Sequence, residues 1–488
     1  MKIKYLLNKS NINYDSIVIN HVINDIKDDS RQIKENDIFF AINGGQTDGR
    51  KYIDEAIKKG SKTIIYEGEI NQKNDNINYI NVLNIRSVLA SFCKIFYKDL
   101  TKKIKLIGVT GTNGKTTTST LIYDYLCYSG YDPILIGTSG IFFKDEHFHT
   151  ANTTVSILQT YTILKEAISK GAKHLIMEVS SIGIRDARVL YFDFDIVIFT
   201  NLGHDHLDYH KNITDYKFSK SIILWNVENK RNKAVILNLD DENFAFLSSL
   251  VKAKIITYGL KKDANVKAIN IVKNLYQSNF EVVIKDDNFK VKTALVGGFN
   301  IYNILAVIST LSFLKYDVND FVDFLRIYVS ISGRMNKIIY KSRVIIVDFA
   351  HTPTSLINVL SSLKEFTNQK ISVVIGCGGN RDISKRSMIA QIAIKYADKI
   401  IFTSDNPRDE DPISIINDMV KNLRSSKYRI IIDRKEAITT ILDESLHDEV
   451  IAILGKGSET SQIINGINYP FSDKEVIYQW INKNNDKT

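Results

Sequence analysis

The ten residues from Gly108 to Thr117 constrain the fold of this chain more than any other stretch of its sequence. They read Gly-Val-Thr-Gly-Thr-Asn-Gly-Lys-Thr-Thr, follow an apolar run, and precede Leu121, Ile122 and Tyr125 at helical spacing. A strand, a glycine-rich turn and a helix in this order form a phosphate cradle, because the N–H groups of the turn and the positive helix end face an anion. The sequence therefore predicts an α/β unit that binds a nucleotide.

The side chains of this loop indicate ATP as the nucleotide. Lys115 is placed to reach the terminal phosphates, and the Thr116 hydroxyl is placed to hold Mg²⁺. The general pattern has a glycine at the position of Val109, whereas here Gly108 and Gly111 flank that position. The loop is a variant that predicts ATP binding without indicating which reaction uses the ATP.

The whole chain is predicted to hold three α/β units. Its 488 residues fit three domains of about 150 residues each. Short apolar runs alternate with amphipathic segments, which predicts parallel sheets in α/β layers with ligands beyond the carboxyl ends of the strands. We expect the units to span residues 1–98, 99–325 and 326–488.

Composition limits which binding partners and which cellular compartment we expect for the protein. The net charge of +9 could suit an anionic ligand, but the lysines are dispersed and no basic block of the nucleic-acid type occurs. The three cysteines lack metal-ligand spacing, which favours reduced thiols in a cytosol. The polar N-terminus and the absence of an 18-residue apolar run argue against a signal peptide and a membrane span. We expect a cytoplasmic protein that binds neither nucleic acid nor membrane.

Two polar clusters follow predicted strands of the middle unit. Glu178 ends one apolar run, and His206 lies in a His- and Asp-rich segment after the next. Each cluster could be an ordinary polar turn, but beside a phosphate loop a second Mg²⁺ site is the better interpretation. From spacing alone, Lys220 is predicted to be an exposed helix lysine with no special role.

Three polar turns follow predicted strands of the last unit, at residues 376–382, 404–408 and 455–459. Each could be a plain turn. Together they bring two arginines and several carboxyl groups to one edge of a sheet. Arginine can grip a carboxylate with two hydrogen bonds, and Asp or Glu can hold an ammonium group. The three turns therefore predict a pocket for a zwitterion.

The chain resembles the Mur ligase family over essentially its whole length. The motifs that carry the resemblance are GVTGTNGKTTT at 108–118, NTT at 152–154, EVSS at 178–181, TNLGHDHLDYH at 200–210, GGFNIYN at 297–303, GRM at 333–335, DFAHTP at 348–353, GCGGNRD at 376–382 and DNPRDEDP at 405–412. The resemblance implies a three-domain α/β architecture: an N-terminal UDP-substrate domain, a P-loop central ATPase domain and a Rossmann-like C-terminal amino-acid domain.

The resemblance also implies an activity, which is ATP- and Mg²⁺-dependent addition of a diamino acid to UDP-N-acetylmuramoyl-L-alanyl-D-glutamate in peptidoglycan synthesis. ATP would activate the D-glutamate carboxylate as an acyl phosphate, which the amine then attacks. Within the family, DNPR marks meso-diaminopimelate, because Arg408 can pair with its distal carboxylate. Ornithine and lysine remain alternatives. A folylpolyglutamate-type ligase and a nucleic-acid-stimulated ATPase are the rival functions.

By matching position, the resemblance assigns residues to five groups. The catalytic group is Lys115, Glu178, His206 and Lys220. The ATP group is Gly111, Thr112, Asn113, Gly114, Lys115, Thr116, Thr117, Asn300, Arg334 and Asp348. The UDP-muramoyl dipeptide group is Ser30, Gly45, Gln46, Thr47, Asn152, Thr153, Thr154, Ser180, Asp186 and Arg188. The diamino-acid group is Arg381, Asp405, Asn406, Pro407, Arg408, Gly455 and Glu459. The metal group is Thr116, Glu178, His206 and Lys220, the last as a carbamate.

Some positions depart from the family pattern. Ile182, Asp186, Asn336 and Thr354 stand where histidine, glutamine, glutamate and aspartate are usual. None of these changes touches the phosphate loop or the catalytic group. For Lys220 to form a carbamate its amine must be neutral, although an ordinary lysine has a pKa of about 10.4. Burial would favour the neutral form.

Overall fold

The structure is a computed structural model that describes residues 1–14, 18–44, 47–70, 73–150, 152–203, 205–206, 208–446 and 448–485. Two of the predicted dipeptide-binding residues, Gly45 and Gln46, lie outside this part of the chain. Within it, the strands form sheets of four, eleven and six strands and one two-stranded hairpin. Helices cover the three larger sheets, so the predicted α/β class is confirmed.

The first sheet is parallel, and its strands follow chain order. Its strands are β1 (Ile26–Lys27), β2 (Ile38–Ala41), β3 (Thr63–Tyr66) and β4 (Asn78–Asn81), and its helices are α1 (Ile3–Lys9), α2 (Ile53–Lys58) and α3 (Ile85–Phe96). Because side chains alternate along a strand, Phe40 joins Leu89 of α3 in one core while Phe39 joins Ala56 of α2 in another. Both faces of β2 are therefore buried.

The middle sheet carries the phosphate loop at its centre. Its strands are β5 (Lys105–Thr110), β6 (Ile134–Gly137), β7 (Gly140–Phe143), β8 (Glu146–Phe148), β9 (His174–Glu178), β10 (Ile196–Phe199), β11 (Ala234–Asn238), β12 (Lys254–Gly259), β13 (Val266–Lys273), β14 (Ser278–Ile284) and β15 (Asp287–Thr293). The spatial order is β15-β14-β13-β12-β11-β10-β5-β9-β6-β7-β8. In parallel register, Val109 of β5 pairs with Glu178 of β9, and Thr110 pairs with Phe199 of β10. The clusters after β9 and β10 therefore flank the phosphate loop.

Seven helices accompany this sheet in the described part of the chain. They are α4 (Lys115–Tyr128), α5 (Ile157–Ser169), α6 (Ser181–Arg185), α7 (Ile213–Ser221), α8 (Phe244–Ser249), α9 (Gly298–Phe313) and α10 (Val318–Ile327). Helices α4, α9 and α10 share one apolar core with strand β5, whose Ile107 and Val109 face them. Leu106 of β5 and Phe194, which precedes β10, belong to the core on the opposite face. The sheet is thus sandwiched, as its continuous apolar runs predict.

The last sheet brings its strand ends to a single edge. Its order is β16-β17-β21-β18-β19-β20, from strands β16 (Asn336–Tyr340), β17 (Arg343–Asp348), β18 (Ile371–Ile375), β19 (Lys399–Phe402), β20 (Tyr428–Ile430) and β21 (Val450–Leu454). The hairpin is β22 (Ser461–Ile464) and β23 (Ile467–Pro470), and the helices are α11 (Pro353–Phe366), α12 (Ser384–Tyr396), α13 (Pro412–Val420), α14 (Arg434–Glu444) and α15 (Asp473–Asn485). Leu454, Ile375 and Phe402 align in parallel register at the strand ends. The three predicted polar turns therefore emerge side by side.

Short 3₁₀ helices complete the secondary structure at Ser30–Gln32, Gly49–Tyr52, Leu100–Lys103 and Ile222–Asn226. No helix in the described ranges has both the length and the apolar character that crossing a membrane requires.

Candidate active site

The phosphate loop has a shape that only glycine permits at two positions. Strand β5 ends at Thr110 and helix α4 begins at Lys115. Gly111 has φ 138°, and a Cβ there would overlap Oγ1 of Thr200. Gly114 has φ 85°, and a Cβ there would lie 2.5 Å from Oδ1 of Asn303. Such φ values are costly for other residues. At both positions a larger residue would have an unfavourable φ and would also clash with neighbouring side chains.

The chain after β10 holds the loop in place. Thr200 Oγ1 donates to the carbonyl of Asn113 at 2.5 Å, and Asn201 Nδ2 donates to the same carbonyl at 2.9 Å. In return, the backbone N–H of Asn113 donates to Asn201 Oδ1 at 2.9 Å. The Thr112 hydroxyl is bonded to Tyr216 and accepts from the N–H of Gly203. These hydrogen bonds within the protein fix the conformation of residues 112–113.

Two lysines converge on the loop. Lys115 Nζ donates to the carbonyls of Gly111 and Thr112, both at 2.9 Å. Lys220 Nζ, from α7, donates to the same Gly111 carbonyl at 3.0 Å and is only 1% exposed. The expectation from spacing that Lys220 is an exposed lysine is wrong, because the buried face of α7 packs against the phosphate loop. Burial lowers the pKa of Lys115, and burial together with the Lys115 charge holds the pKa of Lys220 well below its ordinary value.

Glu178 and Thr116 present oxygen atoms at the beginning of α4. Glu178 ends β9 and is 1% exposed, and Thr116 Oγ1 donates to its Oε2 at 3.1 Å. Thr138 also bonds this carboxylate through its N–H at 3.0 Å and its hydroxyl at 3.1 Å. Arg334 Nη2 donates to Thr116 Oγ1 at 3.0 Å. A carboxylate and a hydroxyl this close are a donor set that suits Mg²⁺.

His206 and Lys220 do not join Glu178 directly. His206 has φ 55°, and its Nε2 lies 3.6 Å from Asp205 Oδ2. Burial lowers the pKa of His206 to about 4, so the imidazole is neutral and able to ligate a metal. Among the described residues, no three or more His, Cys, Asp or Glu side chains are grouped to hold a metal ion. The four-residue metal group therefore stays a prediction.

The remaining predicted ATP residues lie at the junction of the middle and last sheets. Asn300 of α9 donates to the Val296 carbonyl at 2.7 Å and accepts from Asn303 at 3.1 Å. The Arg334 guanidinium stacks 4.5 Å from the Phe349 ring centre. Asp348, at the end of β17, accepts from the N–H of Met335 at 2.6 Å, and burial raises its pKa. Thr117 lies buried in the first turn of α4.

Two glycine turns touch at this junction. Gly333 has φ 66°, and a Cβ there would overlap the backbone N of Ser458. Gly457 has φ 58°, and a Cβ there would lie 2.7 Å from the Gly333 carbonyl oxygen. The turn that carries Arg334 and the turn that leads to Glu459 are therefore in direct backbone contact.

A cavity of about 420 Å³ lies between the first sheet and the middle sheet. The residues that line it are Asp28, Ile42, Gly44, Thr47, Arg86, Leu89, His149, Thr150, Asn152, Val155, Ser156, Ile157, Gln159, Asp186 and Arg188. Four predicted dipeptide-binding residues, Thr47, Asn152, Asp186 and Arg188, are among them. Arg188 donates to Asp186 Oδ2 and to the Thr154 carbonyl, both at 2.7 Å.

The other described members of the dipeptide group do not line the cavity. Ser30 donates to Glu55 Oε2 at 2.7 Å. Thr154 Oγ1 lies 3.2 Å from Ser180 Oγ, which caps α6. The hydroxyl of Thr153 lies 3.1 Å from that of Thr138. The structure therefore places some of the predicted group on the cavity wall and Thr153, Thr154 and Ser180 near Glu178, while Ser30 contacts α2.

Arg86 is a cavity residue that sequence reasoning missed. It lies on α3, its Nη2 donates to the Asn43 carbonyl at 3.3 Å, and its Nε lies 3.9 Å from Asp186 Oδ1. Nothing in its spacing distinguishes it from an ordinary helix arginine. The sequence signal for Arg86 was Asp186, an acid where the family usually has an amide, because a half-buried carboxylate is stabilised by cationic partners.

The diamino-acid group is assembled by two interlocked loops. The Gly379 N–H donates to the Asn406 carbonyl at 3.0 Å, and a Cβ at Gly379 would overlap the Pro407 carbonyl. Arg408 Nη1 donates to the Gly379 carbonyl at 2.8 Å, leaving other guanidinium donors for a ligand. Arg381 Nη1 lies 3.7 Å from Asp208 Oδ2 of the middle unit. The two predicted arginines therefore meet at the edge that faces the ATP unit.

The third turn closes this group. Gly455 has φ 112°, and a Cβ there would lie 2.6 Å from Asp405 Oδ2. Asn406 Nδ2 donates to Glu459 Oε2 at 2.8 Å. The structure thus brings together arginine, amide and carboxylate side chains, as the three polar turns predict.

Profiles of known families match successive parts of the chain. Residues 22–97 match the Mur ligase family, catalytic domain; residues 109–311 match the Mur ligase middle domain; residues 333–457 match the Mur ligase, glutamate ligase domain.

Curated relatives match nearly the full length. The chain is 37% identical over 474 residues to UDP-N-acetylmuramoyl-L-alanyl-D-glutamate–2,6-diaminopimelate ligase of Oceanobacillus iheyensis, with 95% of each chain covered. It is 38% identical over 475 residues to the protein of the same name from Phocaeicola vulgatus, with 94% of this chain and 97% of that one covered.

Solved structures show the same architecture. A structure of UDP-N-acetylmuramoyl-L-alanyl-D-glutamate–2,6-diaminopimelate ligase superposes with a TM-score of 0.67 at 30% identity, covering 95% of both chains. MurF ligase from Thermotoga maritima in complex with ADP superposes with a TM-score of 0.65 at 18% identity, covering 95% of this chain and 98% of that one.

Proposed function

The chain belongs to the Mur ligase family of ATP-dependent amide-bond-forming ligases, and we propose that it joins meso-diaminopimelate to UDP-N-acetylmuramoyl-L-alanyl-D-glutamate. The observation that carries the proposal is the 37–38% identity, over nearly the whole chain, to relatives that bear the name of this reaction. The product would be the UDP-linked tripeptide used in peptidoglycan synthesis. Ornithine and lysine remain the alternative diamino acids.

ATP would bind at the phosphate loop, because its glycine turn precedes the positive end of α4. Lys115 would leave the Gly111 and Thr112 carbonyls and reach the terminal phosphates. Asn300, Arg334 and Asp348 lie around the same end of α4 and would contact the nucleotide. Mg²⁺, when bound, would neutralise charge that develops on the phosphoryl oxygens, with Thr116 as a ligand of one ion and Glu178 and His206 as ligands of the other.

The UDP-muramoyl dipeptide would occupy the cavity between the first and middle sheets. Its diphosphate and carboxylates are anionic, and Arg86 and Arg188 are cations on the wall of that cavity. The D-glutamate carboxylate would extend past Thr154 and Ser180 towards the phosphate loop. There it would attack the γ-phosphorus of ATP, which forms an acyl phosphate and releases ADP. The acyl phosphate offers phosphate as the leaving group in place of oxide.

The diamino acid would bind at the three turns of the last sheet. Arg408 would pair with the distal carboxylate, and Glu459 would accept a hydrogen bond from the distal ammonium group. Lysine and ornithine lack this carboxylate, so either would leave the arginine without an anionic partner. This costs a few kcal/mol when the guanidinium group is desolvated. The free amine then attacks the acyl phosphate and expels phosphate.

Lys220 would act as a carbamate. Its burial and the nearby Lys115 charge favour the neutral amine, which is the form that reacts with CO₂. The product is a carboxylate beside the phosphate loop, where it would help to hold a metal ion with His206.

We assign one substrate to each unit, with boundaries at residues 1–98 for the UDP substrate, 99–325 for ATP and 326–488 for the diamino acid. We place the reaction in the cytoplasm, without nucleic acid or membrane as a partner. These assignments rest on the family and on the positions of the cavity, the loop and the turns.

The proposal is tested by phosphate release from ATP with purified enzyme, UDP-N-acetylmuramoyl-L-alanyl-D-glutamate and a panel of diamino acids. We expect release that depends on the UDP substrate and is fastest with meso-diaminopimelate, with the tripeptide product identified by mass spectrometry. Faster turnover with ornithine or lysine overturns the choice of amino acid. Release that depends on RNA or DNA and not on the UDP substrate overturns the reaction.

A further inference from the structure

Lys456 is a fully buried lysine within the third diamino-acid turn, residues 455–459. It follows strand β21, its side chain has no exposed surface, and its Nζ contacts two members of the predicted diamino-acid group. The amine donates to Asn406 Oδ1 at 3.1 Å and to Glu459 Oε2 at 2.7 Å. We propose that Lys456 is a positioning residue that orients Asn406 and Glu459 towards the diamino acid. This inference rests on the proposed function.

Lys456 is one of two donors that fix which way the Asn406 amide points. A lysine ammonium group has donors and no acceptor, so the amide oxygen must face it. The N–H of Ile463 donates to the same oxygen at 3.0 Å. The amide nitrogen is therefore left for Glu459, and one of its N–H groups donates to the same Oε2 that Lys456 contacts, at 2.8 Å. In the proposed complex, its second N–H would donate to the substrate.

Lys456 also distinguishes the two carboxylate oxygens of Glu459, because it contacts only Oε2. Both Lys456 and Asn406 contact Oε2, while the Glu459 side chain keeps 36% of its surface exposed. Oε1 is therefore the oxygen available for the ammonium group of the substrate. The Glu459 carboxylate in turn balances the lysine charge, which limits the cost of burying Lys456.

Hydrogen bonds that do not involve Lys456 hold the backbone of residues 404–406. The lysine can therefore orient side chains without being needed to fold this loop. Gln462 Nε2 donates to the Asp405 carbonyl at 2.6 Å and to Ser404 Oγ at 3.1 Å. The Gly379 N–H holds the Asn406 carbonyl from the other side at 3.0 Å. Loss of the lysine amine therefore frees the side chains of Asn406 and Glu459 more than it frees the loop.

The test is Lys456→Met, which keeps most of the length of the side chain and removes its charge and donors. We expect the KM for meso-diaminopimelate to rise at least tenfold, with the KM values for ATP and the UDP substrate within twofold of those of the unmodified enzyme. Lys456→Arg, which keeps the charge, should recover part of the affinity. In a Glu459→Gln background, Lys456→Met should have a much smaller effect on that KM, because the two residues act together.

Lys233→Met is the matched control. Lys233 is another buried lysine, with an ion pair to Asp193 at 2.6 Å, and it lies far along the chain from the diamino-acid turns. Its replacement should lower the melting temperature without a selective change in the KM for the diamino acid. If Lys456→Met behaves like this control, or if its effect is independent of Glu459, the inference is overturned.

A second outcome separates this inference from the proposed function. If the unmodified enzyme uses ornithine or lysine in place of meso-diaminopimelate, the proposed amino acid is wrong, and the same KM comparison with the true substrate decides on Lys456. If Lys456→Met does not fold, Lys456→Gln and Asn406→Ala are compared instead. A selective rise in the KM for the diamino acid in both supports the inference, and an unchanged value in Lys456→Gln overturns it.

Discussion

Lys115 and Lys220 donate hydrogen bonds to one shared acceptor, the backbone carbonyl oxygen of Gly111, at 2.9 and 3.0 Å. Two ammonium groups on one carbonyl repel each other, and little water is present to screen them because Lys220 is 1% exposed. The charge of Lys115 therefore adds to burial in favouring a neutral amine at Lys220.

The first prediction concerns carbamylation of Lys220. Lys220→Ala should lower kcat at least 100-fold, because the carboxylate that the carbamate supplies is lost. In the unmodified enzyme, ¹³C-labelled bicarbonate should give a carbamate signal by NMR that is absent from the variant. Lys217→Ala, on the same helix, is the control and should keep both signal and activity. Full activity of Lys220→Ala at low bicarbonate would contradict the prediction.

The second prediction concerns Gly111. Gly111→Ala should abolish measurable ATP binding by calorimetry, because a methyl group there overlaps Oγ1 of Thr200 and φ is 138°. Gly171→Ala is a sharp control, since its φ is 97° but nothing lies within 4 Å of the added carbon. The control should cost about 1 kcal/mol of stability and leave ATP affinity unchanged. Equal ATP affinity in the two variants would refute the role of crowding.

The third prediction concerns the choice of diamino acid. Arg408→Met should reduce kcat/KM for meso-diaminopimelate about 100-fold, which corresponds to about 3 kcal/mol for a lost charge-assisted pair. The kcat/KM for lysine should change little, because lysine has no distal carboxylate. Arg424→Met, at an exposed turn, is the control. An equal loss for both amino acids would show that Arg408 does not read the distal carboxylate.

The fourth prediction concerns Arg86 and the nucleotide end of the UDP substrate. Arg86→Gln should weaken the binding of UDP alone about tenfold, or about 1.4 kcal/mol, because the cavity loses a cation that faces an anionic ligand. Calorimetry with UDP measures this without catalysis. Lys94→Gln, on the same helix but not on the cavity wall, should bind UDP normally. Unchanged UDP affinity in Arg86→Gln would remove Arg86 from the site.

The fifth prediction concerns acid stability. His174 is buried, accepts or donates one hydrogen bond with Tyr316 at 2.9 Å, and has an Nδ1 without a partner among the described residues. Burial lowers its pKa from 6.5 to about 4. The unfolded chain therefore binds more protons than the folded one between these values, so stability is fully present above pH 6.5 and is lost as the pH falls towards 4. The loss attributable to His174 is about 3 kcal/mol.

Denaturation in urea at pH 7.5 and pH 4.5 measures this loss. His174→Gln should show a smaller difference between the two pH values than the unmodified protein. Tyr316→Phe, which removes the hydrogen bond but keeps the histidine, should retain the full difference. The same pH dependence in His174→Gln would mean that other groups account for the acid sensitivity.

The parts of the site that the sequence predicts are those built locally at strand ends. The phosphate loop, Glu178 and the turns around Arg408 and Gly455 follow directly from an apolar run and a glycine-rich or polar turn. Parallel register then brings them to common edges, which is why they are found close together.

The parts that spacing alone could not predict depend on packing between distant elements. Lys220 becomes buried only because α7 docks against the phosphate loop. Arg86 meets Asp186 only because the first and middle units share a cavity, and Lys456 reaches Asn406 only because the turns after β19 and β21 pack together. A lone lysine or arginine in a sequence carries no sign of such surroundings.

The contact between Gly333 and Gly457 has a consequence for inhibitors of such an enzyme. Neither glycine has room for even a methyl group, and each has a φ that favours glycine. A compound that contacts the backbone of Gly333 and Gly457, between the nucleotide and amino-acid sites, would bind a surface that substitution can hardly change. A resistance substitution at either glycine would disrupt the packing of these two turns and so impair the enzyme itself.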